Sequence, residues 1–341
     1  MAEDLSKTKL IVSLLHQTSS LPVVSEFLKE KGLTHSAGSW DVLLNKRIIP
    51  AISNHQISND DLITLLSSAE ECGHQHIFLY KCPKDTAIEI MARDRITGAL
   101  KKMALQDLLT TPKVLEQPSD PQIVDVRWET AKTDLSLTIK EVSSRKYRRH
   151  LDTEQHDGKI YEVYGIVEER AVNVAKIHRN GLLEIRIASI SNSNKYDSEV
   201  HRFRGHIKSL IPIDSFSELS LSVAKDRLWT ERATLQKLIR YSDSTIRDEA
   251  GNALRAVTGS IQSDLSANPA VGNSLDYLLE QDENSYCEGA NIWFNKSSEL
   301  SADIHVLLTG DLNEFALPAN CTEGDYNYVL HQLRQFNHRV S

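Results

Sequence analysis

At 341 residues, 40% of them hydrophobic and 25% charged, the chain has room for two or three domains with buried cores and an ordinary globular composition. No apolar run reaches the ~18–20 residues of a membrane span, and the acidic start Met1-Ala2-Glu3-Asp4 is the reverse of a secretory leader. A net charge of −8 excludes a protein that coats nucleic acid with its whole surface, and four scattered cysteines without framework spacing point to a reduced intracellular compartment, cytoplasmic or nuclear.

Residues 1–112 read as a helical N-terminal domain. Leu10, Ile11, Leu14 and Leu15 recur at helical spacing, and Val23, Val24, Phe27 and Leu28 make a second amphipathic helix that ends at Lys31-Gly32. Trp40, Leu43 and Leu44 suggest a third helix, which Pro50 interrupts or restarts. Ser58-Asn59-Asp60-Asp61 is a cap cluster ahead of Leu62, Ile63, Leu65 and Leu66. His76-Ile77-Phe78-Leu79-Tyr80 reads as a short strand, and a last helix is expected near 94–109. Pro112, Pro118 and Pro121 mark a linker and the clearest boundary in the chain.

From 122 to 212 the period changes to two. Ile123, Val124, Val126 and Trp128, then Leu135, Leu137 and Ile139, predict a hairpin whose loop covers 129–133. Residues 145–157 are charged and read as irregular. Strands are expected at 161–166 and 172–177, then a turn at Asn180-Gly181 and a strand through Leu183, Ile185 and Ile187. The whole reads as an antiparallel meander of about five strands, followed by a helix over 196–211. In 216–341 the pattern predicts helices over 222–240, after Asn268-Pro269 and over 324–336, with strands at 290–294 and 304–308. This makes an α/β C-terminal part that folds alone or with 122–212. The expected class is therefore α+β.

Charge is unevenly distributed. Residues 260–341 hold three Lys and Arg against twelve Asp and Glu, whereas 122–212 hold sixteen against thirteen. The densest basic string is Arg145, Lys146, Arg148, Arg149 and His150, with Tyr147 interleaved. Such a group neutralises phosphates or docks an acidic protein surface, and Lys176, Arg179, Arg202, Arg204 and Lys208 are candidates for the same surface. The acidic C-terminal region is the candidate for a protein partner or for self-association.

Cys72-x-His74-x-His76-x5-Cys82 is the most metal-like string, but it lacks a zinc-type C-x2-C pair, and a helix end feeding a strand is the plainer reading. Glu184-Ile185-Arg186 faintly suggests a nuclease strand, which keeps open an alternative function as a nuclease or other enzyme subunit of a bacterial defence system. No nucleophile elbow, phosphate loop or dinucleotide turn occurs, so neither a catalytic residue nor a cofactor is assigned.

Three strings carry a resemblance: Phe27-Leu28-Lys29-Glu30-Lys31-Gly32-Leu33, Ile57-Ser58-Asn59-Asp60-Asp61-Leu62 and Gly73-His74-Gln75-His76-Ile77-Phe78. They are followed at a similar interval by Ile123 to Thr130 and Leu135 to Ile139. In order and spacing, residues 1–140 resemble the N-terminal part of the centromere protein CENP-N family or its Chl4-like relatives. The resemblance implies a pyrin-like helical domain leading into a β-rich domain, in a non-enzymatic adaptor that contacts DNA or a nucleoprotein and pairs with a related subunit. The family is basic, and this chain departs from it in being acidic overall. A binding or adaptor role, with a basic patch on the central β region, is the functional expectation.

Overall fold

A computed structural model describes residues 2–131, 134–190, 196–260 and 262–338. Five helices come first: α1 (Ala2–Thr18), α2 (Leu21–Glu30), α3 (Trp40–Leu43), α4 (Ile49–Ser53) and α5 (Asn59–Glu71). Their ends are set locally. Ser58 and Asp61 form a capping box at the start of α5, and Gly32 takes φ +71° just past α2, where a side chain would be strained. A π-type turn at Leu44–Ile48, closed by the Ile49 N–H on the Leu44 carbonyl, carries the chain directly into α4, whose second residue is Pro50. Ile11, Leu14, Leu15, Val24, Leu28, Leu43, Leu62 and Leu66 close a core belonging to these helices alone.

The rest is one sheet with helices on it. In chain order come β1 (Gly73–Lys81), α6 (Lys84–Ile90), α7 (Arg93–Lys102), β2 (Gln122–Ala131), β3 (Asp134–His156), β4 (Lys159–His178), β5 (Leu182–Ala188), α8 (Asp197–Ile207) and β6 (Ser217–Glu218). They are followed by α9 (Ser222–Thr230), α10 (Arg232–Leu235), β7 (Ile239–Arg247), β8 (Ala253–Val257), α11 (Pro269–Gln281), β9 (Tyr286–Phe294), β10 (Ile304–Leu307), β11 (Glu314–Asn320) and α12 (Glu323–Asn337). The eleven strands form a single sheet in the order β2-β3-β4-β5-β1-β11-β10-β9-β7-β8, with β6 on the end of β1. The α+β class stands.

Several expectations need correction. β1 lies between β5 and β11 near the middle of the sheet, and α6 and α7 pack in the sheet's core, so 73–110 belongs to the sheet although it precedes the proline-rich linker. Of the two arrangements expected for the C-terminal part, the joint one is found: segments 122–212 and 216–341 contribute to that one sheet. Residues 145–157 are extended, and the strands expected at 161–166 and 172–177 are one strand, β4. β7 occupies the end of the stretch expected to be helical, and α6, β8 and β11 were not anticipated. Two of the five residues expected to form the β2–β3 loop, 132 and 133, lie outside the described residues.

The sheet has two differently filled faces. One carries Phe78, Tyr80, Val126, Leu137, Ile139, Ala175, Ile177, Leu183 and Ile185 under α6, α7 and α8. The other is apolar around β1, β9 and β11, where α9, α11 and α12 cover Ile77, Leu79, Ile292, Phe294, Phe315 and Leu317. Towards β2–β5 that second face turns polar, and α5 lies over it.

A candidate partner-binding arm and the charge networks at its root

β3 and β4 pair in register from Ser136↔His178 out to His156↔Lys159. The turn between them is Asp157-Gly158, both with positive φ (51° and 74°), which suits the twist of a two-residue hairpin. The pairing of β2 with β3 ends at Val142, and that of β5 with β4 ends at Val174. Beyond those positions no third strand pairs with the hairpin among the described residues. About twelve residues per strand therefore project as a free arm of roughly 40 Å.

Alternation sorts the arm's side chains. The registered pairs Lys146↔Glu168, Arg148↔Ile166, His150↔Tyr164, Thr153↔Glu162 and Gln155↔Ile160 share one face, and Tyr147, Arg149, Tyr161, Val163 and Val167 belong to the other. A bulge between His150 and Asp152 inserts Leu151, which lies over Gly165; a Cβ there would come within 2.9 Å of Leu151 Cδ1. The apolar exposure is large: Ile160 is 70% exposed, Ile166 67%, Leu151 61%, and Tyr161 and Tyr164 about half. Side chains of this kind normally go inside.

The nine cations expected to form one basic surface are dispersed. Arg145 donates to the Ala188 carbonyl at 2.8 Å, to Asn173 Oδ1 at 3.2 Å and to Glu199 Oε1 at 3.1 Å. Arg202 clamps Glu141 and Glu199, and His206 also bonds to Glu141, whose side chain is fully buried. Lys176 pairs with Glu129 at 2.9 Å. Burial works to raise the pKa of Glu199, but the hydrogen bond and charge of Arg202 and the charge of Arg145 overcome it and hold the carboxyl at about 2. Glu129 is held at about 2 by Arg127 and Lys176 against the same desolvation. These three cations answer the protein's own carboxylates.

Of the other six, Lys146, Arg148 and Arg149 are exposed on the arm, with no salt bridge among the described residues. Arg204 on α8 lies over the Tyr80 ring, 5.4 Å from its centroid. Lys208 is exposed just past α8. Arg179 follows the far end of β4, thirteen residues beyond the partner of Arg148, or about 40 Å along the strand. What stands out is the arm with its three cations.

At the arm's root the polar sheet face is a buried charge network. Glu70 of α5 meets Lys140 at 2.6 Å and Arg170 at 2.5 Å, and Glu71 meets Arg127 at 2.5 Å. Arg127 also bonds to Asp125 and Glu129. Asp125 is nearly inaccessible, and burial outweighs Arg127 and raises its pKa above the usual aspartate value. Glu71, Asp125, Arg127, Glu129, Lys176 and Arg186 line a cleft of about 340 Å³ beside α5. Every one of these charges has an opposite charge in contact, so the arrangement fastens the helical domain to the sheet through ion pairs where a shared apolar core is lacking.

Glu184 and Arg186, the nuclease-like pair, sit deeper still. Glu184 is fully buried; it accepts from the Tyr326 hydroxyl, contacts His178 Nε2 at 2.5 Å and Arg186 at 2.8 Å, and the Arg186 guanidinium lies 4.0 Å from the Tyr326 ring centroid. Desolvation notwithstanding, Arg186 and His178 hold the Glu184 carboxyl far below its ordinary range. Both of its oxygens are engaged, so it has none to offer a substrate.

The Cys72–Cys82 string does not converge. Cys72 is buried with its thiol pushed up to about 12 by desolvation. His74 is exposed at φ +49° beside a register shift, and His76 stacks on Tyr196 at 3.7 Å and bonds to Glu314. Among the described residues no group of three or more His, Cys, Asp or Glu is placed to hold a metal, and no helix is long and apolar enough to cross a membrane.

The arm itself escaped the sequence reading. Its signal was present: Asp157-Gly158 is a strong short-range hairpin mark, flanked by Tyr and Ile at alternate positions. No protein-family model matches the chain, and no curated protein matches its sequence.

Proposed function

We propose that this protein is a non-enzymatic adaptor whose β3–β4 arm is the element that holds a macromolecular partner. The observation that carries this is the arm's exposed Leu151, Ile160, Tyr161, Tyr164 and Ile166 on a ribbon that has no third strand among the described residues. Two-stranded ribbons are marginal in water, and clustered exposed apolar side chains mark contact surfaces. The paired charges at the root give the arm a fixed base. An affinity capture with the full chain tests it, comparing wild type with a form in which residues 146–168 are replaced by Asn-Gly, which joins the paired Arg145 and Glu169. The shortened protein is expected to keep its thermal midpoint and lose the co-purifying partner. Retention of the partner by the shortened form would overturn the proposal.

A second reading is supported by Lys146, Arg148 and Arg149, which have no salt bridge among the described residues and stand beside tyrosines, and by the resemblance of residues 1–140 to the CENP-N family. In this reading the partner is a nucleic acid or nucleoprotein, and the arm's root contacts phosphates. Three phosphate contacts give a slope of log affinity against log salt of about −2.7 on duplex DNA. Filter binding with a 30-base-pair duplex is expected to show that slope, and neutralising the three residues to Gln is expected to abolish it. Binding that survives neutralisation would remove the phosphate role and leave the protein-partner reading standing.

A further inference from the structure

A cavity of about 470 Å³ lies where the end of β1, the turn from β4 into β5, β6, the start of α9 and the last turn of α12 come together. Asn180-Gly181, the turn in its wall, follows the far end of β4, so the cavity is at the end of the sheet away from the arm. Its volume is in the range of small-molecule sites. Lys81 of β1 and Arg334 of α12 line it. Lys81 pairs in register with Leu182, which belongs to the apolar cluster under α9 and α12, so its side chain stands on the face that α12 covers. Lys81 is exposed, Arg334 is half-buried, and neither has a salt bridge among the described residues. Glu218 is the one described carboxylate in the wall besides backbone-only neighbours, and it pairs with Tyr80, so its side chain goes to the opposite face. The cleft beside α5 is the contrast: there every cation is answered by a carboxylate.

The remaining side chains of the wall have donors to spare and their acceptors are spent. Asn180 Oδ1 accepts from the Leu182 N–H, which leaves the Asn180 amide protons. Asn337 Oδ1 accepts from the Ala224 N–H, and its Nδ2 donates to the Ser220 carbonyl. The Ser220 and Ser222 hydroxyls share one hydrogen bond at 2.8 Å, so one of their two protons is left over, and the Ser222 N–H occupies Ser220 Oγ at 3.2 Å. An ammonium, a guanidinium, an amide NH2 and a hydroxyl proton call for a ligand built of acceptors and carrying negative charge. A phosphoryl group has three terminal oxygens and a charge of about −1.5 to −2 at neutral pH, and it suits both a guanidinium fork and an ammonium point charge.

We propose that this cavity binds a small phosphate monoester, its phosphoryl oxygens held between Lys81 and Arg334 and its organic part against Leu219 and Val223 of the same wall. Isothermal titration of the full chain in phosphate-free buffer tests it with three probes: ribose 5-phosphate, inorganic phosphate and ribose. The ester is expected to bind at about 1 mM or tighter, inorganic phosphate more weakly, and ribose not at all. Lys81→Gln and Arg334→Gln are each expected to weaken the ester about tenfold, and Arg334→Lys, which keeps the charge and loses the fork, by less. Lys81 is exposed, so Lys81→Gln is expected to keep the wild-type thermal midpoint and decides the matter even if an Arg334 variant unfolds. Changing Lys146, Arg148 and Arg149 to Gln is expected to leave ester binding unchanged, which separates this cavity from the arm. No binding of either phosphorylated probe, inorganic phosphate binding as tightly as the ester, or an affinity indifferent to Lys81→Gln overturns the proposal.

Discussion

Lys140 and Lys146 stand on the same face of the same strand, six residues apart, and meet opposite fates. At the root, Lys140 is 5% exposed by side chain and fixed between Glu70 and Glu71; on the arm, Lys146 is exposed with no salt bridge among the described residues. The root has β2 and β5 on its flanks and α5 above it, so each charge there had to find a partner before water could leave. The arm has none of these neighbours, and its charges and apolar groups face solvent. One strand is thus packed framework at one end and exposed ribbon at the other, and the change comes where the third strand stops.

The largest expected effect comes from breaking the root. Arg186→Ala leaves Glu184 buried with its main cation gone, and a loss of about 3–5 kcal/mol in unfolding free energy is expected from urea denaturation. A shift below about 1 kcal/mol would mean the network is wetter than drawn. Acid is the next lever. Glu129 and Glu199 are each held at about 2, against an ordinary 4.5. A depressed carboxyl pKa adds stability above 4.5, and that stability is lost as pH falls toward 2. Each contributes roughly 2 kcal/mol, so the thermal midpoint should fall steeply between those pH values. In Arg202→Gln, with one of the cations on Glu199 removed, the same titration is expected to be shallower.

On the arm the effects on folding shrink. Gly165→Ala sets a methyl against the flexible end of Leu151, and about 1 kcal/mol or less is expected because that side chain can swing outward. Tyr164→Ala and Ile166→Asp should each change stability by under about 0.5 kcal/mol while weakening capture of the partner. If either of these matched the cost of Arg186→Ala, the division of the hairpin into packed framework and exposed ribbon would be wrong.

Much of the fold is legible wherever a residue's role depends on near neighbours. Ser58 and Asp61 announce a helix start from within four residues, Gly32 announces a stop, and Asn180-Gly181 announces the turn into β5. The alternation of Leu135, Leu137 and Ile139 is visible because one face of β3 is buried there and the other carries Ser136, Thr138 and Lys140. Beyond Tyr147 the β3 residues are exposed on both faces, so no hydrophobic period survives, and residues 145–157 look irregular although they are extended. The cluster of nine cations is a matter of sequence proximity and composition. Whether Arg145 and Arg202 face water depends on Glu141 and Glu199, carboxylates contributed by different elements of the fold.

The sequence alone determined the α+β class, the helical start, the turn at Asn180-Gly181 and the charge imbalance, because each rests on propensities and periods that act over a few residues. Tertiary structure decided that β1 lies in the middle of a sheet completed from the C-terminal half, and that three of the nine cations are spent on the protein's own carboxylates while three stand on the arm. It also decided that a charged stretch read as irregular is a projecting ribbon. Those outcomes depend on which distant carboxylate, strand or helix arrives beside a given residue, and burial of a charge is settled only when its partner is in place.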